Sequence, residues 1–206
     1  DDDIVYLTGI NQQHSGIEVE LAAQVHPMVR LDFAAGIGNW RFTDDATGTY
    51  RDGETDVAFN YALKDLKVGD MPQANFVTGF TITPIEGLRA QVLHRYYALH
   101  FSDWSPASRE FSDGDDPDDP RLRNDGWRAP DYSVLDIHAY YDLPFELGPA
   151  KPQLFVHILN ALDATYIQDA VDNSPYNSWS DGHQAADAEV YFGLPMSFNV
   201  GLSVNF

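Results

Sequence analysis

The chain has 206 residues, with 12 basic and 32 acidic side chains, a formal net charge of −20 and no cysteine. This acidity argues against a nucleic-acid partner, which needs clustered Lys and Arg, and the lack of cysteine excludes disulfides, thiolate metal sites and a cysteine nucleophile. No apolar run approaches the length of about 18 residues that a transmembrane helix needs, but the alternating strands of a membrane barrel remain compatible with the composition.

The first predicted elements are two alternating segments joined by a short turn. Apolar residues stand at every second position through IEVELAAQV and again through VRLDFAAGI. A period of two indicates a β-strand with one apolar face, because successive side chains point to opposite sides of a strand. The pattern predicts strands near 4–25 and 29–42.

The same alternation recurs along the rest of the chain and predicts seven strands in all. The other five lie near 68–83, 87–101, 131–145, 152–167 and 188–206. In the last of them every even-numbered residue from Val190 to Phe206 is apolar, and the residues between are mostly small or polar. A tilted membrane-spanning strand needs on the order of ten residues, so this run is long enough to cross a bilayer with its apolar side facing lipid.

Short and long connections alternate between these strands. The short ones, VHPMV, TPIEGL and FELGPAKPQ, contain Pro or Gly, whereas 43–67, 102–130 and 168–187 are long and largely polar. Outer-membrane barrels have tight periplasmic turns and long external loops in this order. We therefore expect the 102–130 stretch to be an external, mobile loop.

Seven strands are an unusual number for a closed membrane barrel. Single-chain bacterial barrels have an even number of strands, and lipid does not tolerate an unpaired strand edge. The predicted fold is all-β, an antiparallel transmembrane β-barrel, of which residues 1–206 form a partial barrel of about seven strands.

Several short motifs occur along the chain in the same order as in a known protein family. They are SGIEVELAAQVHPMVR, VGDMPQ before a strand and a GL turn, APDYSVLDIHAYYDLP, Asn160, Leu162, Asp163 and Tyr166 within HILNALDATYI, and the terminal strand. Together they resemble the C-terminal part of the barrel of TonB-dependent outer-membrane receptors. Met196 stands where that family usually has Arg.

The resemblance implies a plugged, 22-stranded barrel in the cell outer membrane that actively imports a scarce nutrient, such as a siderophore, cobalamin or a glycan. The plug and the TonB-contacting segment are absent from this chain. The implied partners are outer-membrane lipid, the rest of the barrel and its plug, TonB through that plug, the barrel-assembly machinery and an unidentified nutrient. The implied assembly signal is the last strand, with Phe198, Val200, Leu202, Val204 and Phe206.

Two groups of residues are candidates for ligand binding. Oxygen ligands at short spacing suit calcium, although an acidic, solvated loop explains the same residues; these are Asp113, Asp115, Asp116, Asp118 and Asp119. Aromatic rings in the predicted external loops suit stacking on a sugar or an aromatic siderophore, although anchoring or loop packing explains them equally; these are Trp104, Trp127, Tyr176 and Trp179.

Catalysis has little support in the sequence. The histidines are scattered, without a recognisable Ser–Asp partner or a metal-spaced pair, so no catalytic residue is predicted and the protein is not expected to be an enzyme.

Charged residues that should face the barrel lumen include Arg89, Arg95, Asp136 and His138. The alternatives are a secreted, calcium-dependent β-sandwich that binds glycans, and a passive porin without a plug.

Overall fold

The architecture of the described chain is almost entirely β. A computed structural model describes residues 6–112, 114–116, 118–146, 148–175 and 178–205. Strands account for 58% of the structure and helices for 4%, and the sheets are antiparallel without closing into a barrel. The prediction of an all-β, antiparallel fold is confirmed.

The described residues form thirteen strands and two helical turns. The strands are β1 (Tyr6–Thr8), β2 (Gln12–His26), β3 (Val29–Phe42), β4 (Ala46–Asp52), β5 (Thr55–Tyr61), β6 (Ala74–Ile85), β7 (Leu88–Ala98), β8 (Glu110–Phe111), β9 (Tyr132–Asp142), β10 (Lys151–Leu159), β11 (Ile167–Asp172), β12 (Ala188–Phe192) and β13 (Ser197–Asn205). The helical turns are α1 (Pro106–Arg109) and a 3₁₀ turn at Pro120–Arg123.

Seven of these strands form the main sheet, in the order β13-β10-β9-β7-β6-β3-β2. They correspond one to one with the seven segments that alternation predicts. Each strand pairs antiparallel with its neighbours, and β2 and β13 lie at the two edges.

The register of the main sheet sorts side chains into uniform rows. One row of directly opposed residues crosses all seven strands and is wholly apolar: Ala23, Leu31, Phe80, Val92, Ile137, Ile158 and Phe198. The adjacent row is wholly polar: Gln24, Arg30, Thr81, Gln91, His138, His157 and Asn199. A slip of one residue in any strand would mix the two rows, so the alternation excludes odd shifts of the register. We call the two sides the apolar face and the polar face.

Apart from β1, which precedes β2, the remaining elements lie in the three long connections, and all of them pack together. Strands β1, β4, β5 and β8 form a four-stranded sheet, and β11 pairs with β12. Strand β8, from the second long connection, pairs with β5 from the first. A bridge between Asp103 and Val171 joins the second connection to the third. We call these residues, 43–73, 99–131 and 160–196, the loop layer.

The apolar core lies mainly in the loop layer. One cluster contains Phe42, Ala46, Tyr61, Leu63 and Leu66, and a second contains Ala62, Leu122 and Trp179. The 102–130 stretch, predicted to be an external and mobile loop, contributes buried residues to this interior, and its mobility stays a prediction. Its Arg109 and Leu122 side chains are fully buried, because the three long connections supply each other with an apolar interior that none could form alone.

The predicted first and last strands are each broken in two. At the N-terminal end, Gly9 has a φ of 78° and separates β2 from β1, which pairs with β4 in the loop layer. At the other end, β12 pairs with β11, whereas β13 pairs with β10. Pro195 interrupts the run because it has no N–H to donate to a strand ladder.

The motif around Asn160 holds this interruption in place. The buried Asn160 amide donates to the carbonyls of Ala164, at 2.9 Å, and Leu194, at 3.1 Å. Asp163 accepts a 2.9 Å hydrogen bond from the Met196 amide. Asn160 and Asp163 both have positive φ, a conformation that Asn and Asp tolerate better than most residues. The motif therefore has a structural role at the entry to β13.

Glycines on the polar face make room for neighbouring rings. A Cβ atom on Gly201 would lie 2.3 Å from Cζ of Phe155, its direct partner on β10. We expect Gly201→Leu to lower the free energy of unfolding by about 1–3 kcal/mol, because Phe155 must leave its position.

Guanidinium unfolding measures this cost, and Gly182→Leu provides the control. A Cβ atom on Gly182 has no neighbour within 4 Å, so that variant should change stability by less than about 0.5 kcal/mol. Equal unfolding midpoints for the two variants would show that the Phe155 contact does not constrain residue 201.

Candidate functional site

The apolar face of the main sheet is open. Ile17 is 74% exposed and Phe198 is 77% exposed, at opposite edges of the sheet, and Phe33 and Phe80 between them are also exposed. Monomeric proteins in water rarely expose contiguous apolar patches beyond a few hundred Å². This face therefore has the character of a surface that is covered by another apolar surface, of protein or of lipid.

The polar face carries paired charges. Arg30 contacts Asp32 at 2.7 Å, and Arg95 forms an ion pair with the buried carboxylate of Asp136. Asp136 also accepts a 2.9 Å hydrogen bond from the backbone N–H of Asn160, just beyond the end of β10. The alternation predicts Arg89, Arg95, Asp136 and His138 on one side of the sheet, and the register places all four on the polar face.

A groove of about 600 Å³ lies on the polar face near the short turns. Its lining includes Gln24, Arg30, Asp32, Arg89, Gln91 and Tyr140. The Arg89 guanidinium lies 4.4 Å from the centre of the Tyr140 ring, in cation–π geometry. The groove thus presents two cations and one carboxylate, a lining suited to a polar ligand or to a polar segment of protein.

Aromatic and imidazole rings continue across the polar face from Tyr140. The His157 ring lies 5.4 Å from Tyr140, 5.2 Å from Phe155 and 5.0 Å from His138. The Nδ1 atoms of His138 and His157 are 2.8 Å apart. Alternation places both histidines on this face, but only the register brings them directly opposite each other.

Three tyrosines connect the main sheet to the loop layer. The ring of Tyr132 lies 5.0 Å from that of Tyr97 and 4.6 Å from that of Tyr166. Tyr166 packs over Gly193, where any Cβ atom would overlap its ring. These rings fix the loop layer against one end of the polar face.

The predicted aromatic binding residues have packing contacts in the loop layer. Trp179 is buried with Leu122, and Trp104 packs against Phe42 and Tyr61 at ring distances of 6.4 and 6.0 Å. Trp127 is half-buried, and its carbonyl accepts a 2.8 Å hydrogen bond from the Ser102 amide. Tyr176 lies outside the described residues. The three described tryptophans thus do not form one exposed platform, and substrate stacking stays a prediction.

The acidic segment is organised by local hydrogen bonds. Asp115 accepts from the Ser112 amide at 2.7 Å, and Asp116 accepts from the Asp118 amide at 3.0 Å. Asp119 forms an ion pair with Arg121 at 2.6 Å. Within the described ranges, no three His, Asp or Glu residues are arranged to hold a metal ion. Asp113 lies outside those ranges, so calcium binding by this segment stays a prediction.

A second group of carboxylates joins the three long connections. Burial, the charges of Asp103 and Asp169, and a hydrogen bond with Asp169 raise the pKa of Asp70 to about 6. A Cβ atom on Gly69 would lie 2.5 Å from the Asp103 backbone, which shows how closely the first two connections approach. Since the folded pKa of Asp70 is above its usual value, protonated Asp70 contributes stability below about pH 4, and this contribution is lost as the pH rises through about 6.

The most buried polar network of the loop layer surrounds Asp172. Its carboxylate accepts from Ser108 Oγ at 3.0 Å and from Ser174 Oγ at 2.5 Å, and it contacts His183 Nδ1 at 2.9 Å. Burial opposes the charge, but the hydrogen bonds of His183 and Ser174 prevail and hold the pKa of Asp172 below its usual range. Sequence reasoning missed this group, because 64 residues separate Ser108 from Asp172 and neither lies in a motif.

The arrangement around His183 differs from a hydrolase triad. Ser174 Oγ and Asp172 both approach the same ring nitrogen, Nδ1, at 2.9 Å. In a triad the serine and the carboxylate occupy opposite nitrogens of the imidazole, so that the ring can transfer a proton between them. The His183 Nε2 atom is buried without a hydrogen-bond partner. The network is therefore suited to bracing the loop layer.

Comparisons with known proteins give no assignment. The chain matches no protein-family profile and no curated protein. In the part of the chain that the structure describes, no helix has the length and apolar character needed to cross a membrane. A functional assignment must therefore come from the faces of the main sheet and from the loop layer.

Proposed function

We propose that this chain is the C-terminal barrel segment of a TonB-dependent outer-membrane receptor, a transport protein that imports a scarce nutrient. The observation that carries the proposal is the wholly apolar row that crosses seven strands beside a wholly polar row. Lipid would cover the apolar face, and the polar face would line the interior.

The positions of the connections support the same proposal. The three short turns lie at one end of the main sheet and the loop layer lies at the other. In an outer-membrane barrel these ends would be periplasmic and external, respectively. Strands β2 and β13 would pair with strands of the remaining barrel, since lipid provides no hydrogen bonds for their edges.

The alternative to a transport protein is a secreted β-sandwich that binds glycans. A sandwich buries one face of each sheet against a second sheet, with a core about 10 Å thick. The exposure of Phe33, Phe80 and Phe198 disfavours this arrangement, because these residues would belong to that core. A passive porin would share the barrel and differ in its energy requirement.

Membrane fractionation and uptake measurements test the proposal. The full-length protein should be recovered in the outer-membrane fraction, should require detergent for extraction and should migrate faster on gels before heating than after it. Uptake of its nutrient should stop when TonB is deleted or the proton-motive force is collapsed. Recovery as a soluble secreted protein would refute the barrel, and uptake without TonB would indicate the porin.

A further inference from the structure

We infer that His138 and His157 form a binding site for a divalent transition-metal ion on the polar face of the main sheet. The two residues are direct cross-strand partners on β9 and β10. Their Nδ1 atoms are 2.8 Å apart, and each ring is partly buried, which restricts its motion. The site does not depend on the proposed transport function, since it rests only on this pair.

The separation of the two nitrogens fits ligands of one metal ion. Metal–imidazole bonds are about 2.0–2.1 Å long, so two cis ligands at a right angle are about 2.9 Å apart. A right angle between two ligands is typical of the tetragonal geometry of Cu²⁺ and Ni²⁺. Zn²⁺ prefers tetrahedral geometry, in which the ligands lie farther apart. The 2.8 Å separation of the two Nδ1 atoms is close to the right-angle distance.

The protonation states of the pair are compatible with metal binding. Without a metal, one Nδ1 donates a hydrogen bond and the other accepts it. Metal binding requires each ring to carry its proton on Nε2, so that both Nδ1 lone pairs point towards the ion. This change moves protons between nitrogens of neutral rings and involves no oxidation or reduction.

The surroundings leave coordination positions open. No third His, Asp or Glu in the described chain completes a metal-binding group, so water or a chelating ligand must occupy the other positions. Tyr140 and Phe155 flank the His157 ring, and Gln91 and Asn199 are the outer cross-strand partners of the pair.

Charged groups near the pair balance one another. Asp136 and Arg95 act electrostatically on His138, and they form an ion pair with each other. The site therefore carries little excess charge of its own, and its selectivity should follow the preference of imidazole for Cu²⁺ over other first-row divalent ions.

Copper titration of the protein in detergent tests this inference. After treatment with a chelator, equilibrium dialysis should show that His138→Gln and His157→Gln each lose one equivalent of bound Cu²⁺ relative to the unmodified protein. His14→Gln is the matched control, because His14 also lies on the polar face but stacks on Trp40 at 5.3 Å; it should bind as the unmodified protein does.

Electron paramagnetic resonance provides a readout that needs no variant. The Cu²⁺ spectrum of the unmodified protein should show hyperfine splitting from two imidazole nitrogens, and acid should release the ion, because protons compete with metal for imidazole. Thermal unfolding checks that the Gln variants are folded. Unchanged copper stoichiometry in folded variants, or a spectrum without two imidazole nitrogens, would overturn the inference.

Discussion

Asp172→Ala is expected to lower the free energy of unfolding of the loop layer by about 3–5 kcal/mol. The carboxylate accepts hydrogen bonds from Ser108, Ser174 and His183, and its side chain is only 2% exposed. Its removal takes this acceptor from the buried Ser174 backbone amide and from the His183 ring, and it leaves Ser108 Oγ with only the Ser105 carbonyl. Each buried polar group left unsatisfied costs about 1–3 kcal/mol.

Hydrogen exchange measures this loss where it should occur. The Asp172 amide donates to the Asp103 carbonyl, and the Asp103 amide donates to the Ala170 carbonyl, both at 2.8 Å. These amides should exchange faster in Asp172→Ala, whereas amides of the main sheet should be less affected. Asp118→Ala, at an exposed position in the acidic segment, should change stability by less than about 0.5 kcal/mol.

The same network predicts a dependence on pH. Because the folded pKa of Asp172 lies below its unfolded value, the unfolded chain binds more protons in the acid range. The stabilisation is present above about pH 4 and is lost as the pH falls further. Asp172→Ala should flatten the stability profile below about pH 4, and an unchanged acid profile would contradict the assigned network.

Leu202→Arg is expected to cost about 2–4 kcal/mol of stability in a lipid bilayer. Leu202 is 60% exposed on the apolar face, opposite Leu154. An Arg near the bilayer midplane must lose most of its hydration or distort the lipid, whereas Leu has no such cost. Val200→Arg should have a similar effect, because Val200 lies on the same face.

Ser203→Arg is the matched control, one residue away on the polar face opposite Gln153. An Arg at that position can remain hydrated in a polar interior, so its cost should be far smaller. Unfolding by denaturant from lipid vesicles compares the variants directly. Equal costs at positions 202 and 203 would contradict the assignment of the apolar face to lipid, and with it the proposed barrel.

The terminal strand shows both the success and the limit of prediction from alternation. The pairing of β13 with β10 keeps Phe198, Val200 and Leu202 on one face, as the period of two predicts. The same period continues through 190–196, where the structure has a break. Alternation predicts which side of a strand is apolar. It does not predict where the backbone stops pairing with the neighbouring strand.

The loop layer could not be derived from local patterns. Its long connections read as polar loops because their apolar residues, such as Leu63, Leu122 and Trp179, are too widely spaced to form a periodic pattern. They become a core only when residues far apart in the chain meet. The Asp172 network depends on the same long-range contacts, so neither its burial nor its hydrogen bonds were visible in the sequence.

The sequence by itself determined the seven strands of the main sheet, their antiparallel order and the chemical character of each face. These features are local, because period-two alternation and short turns act within neighbouring segments. Only the tertiary structure decided where the first and last strands break, how the three long connections share a core, and which polar residues meet. The 2.8 Å approach of His138 and His157 belongs to this second group, since it requires two strands to adopt one register. Such contacts depend on pairing between segments, which no single segment encodes.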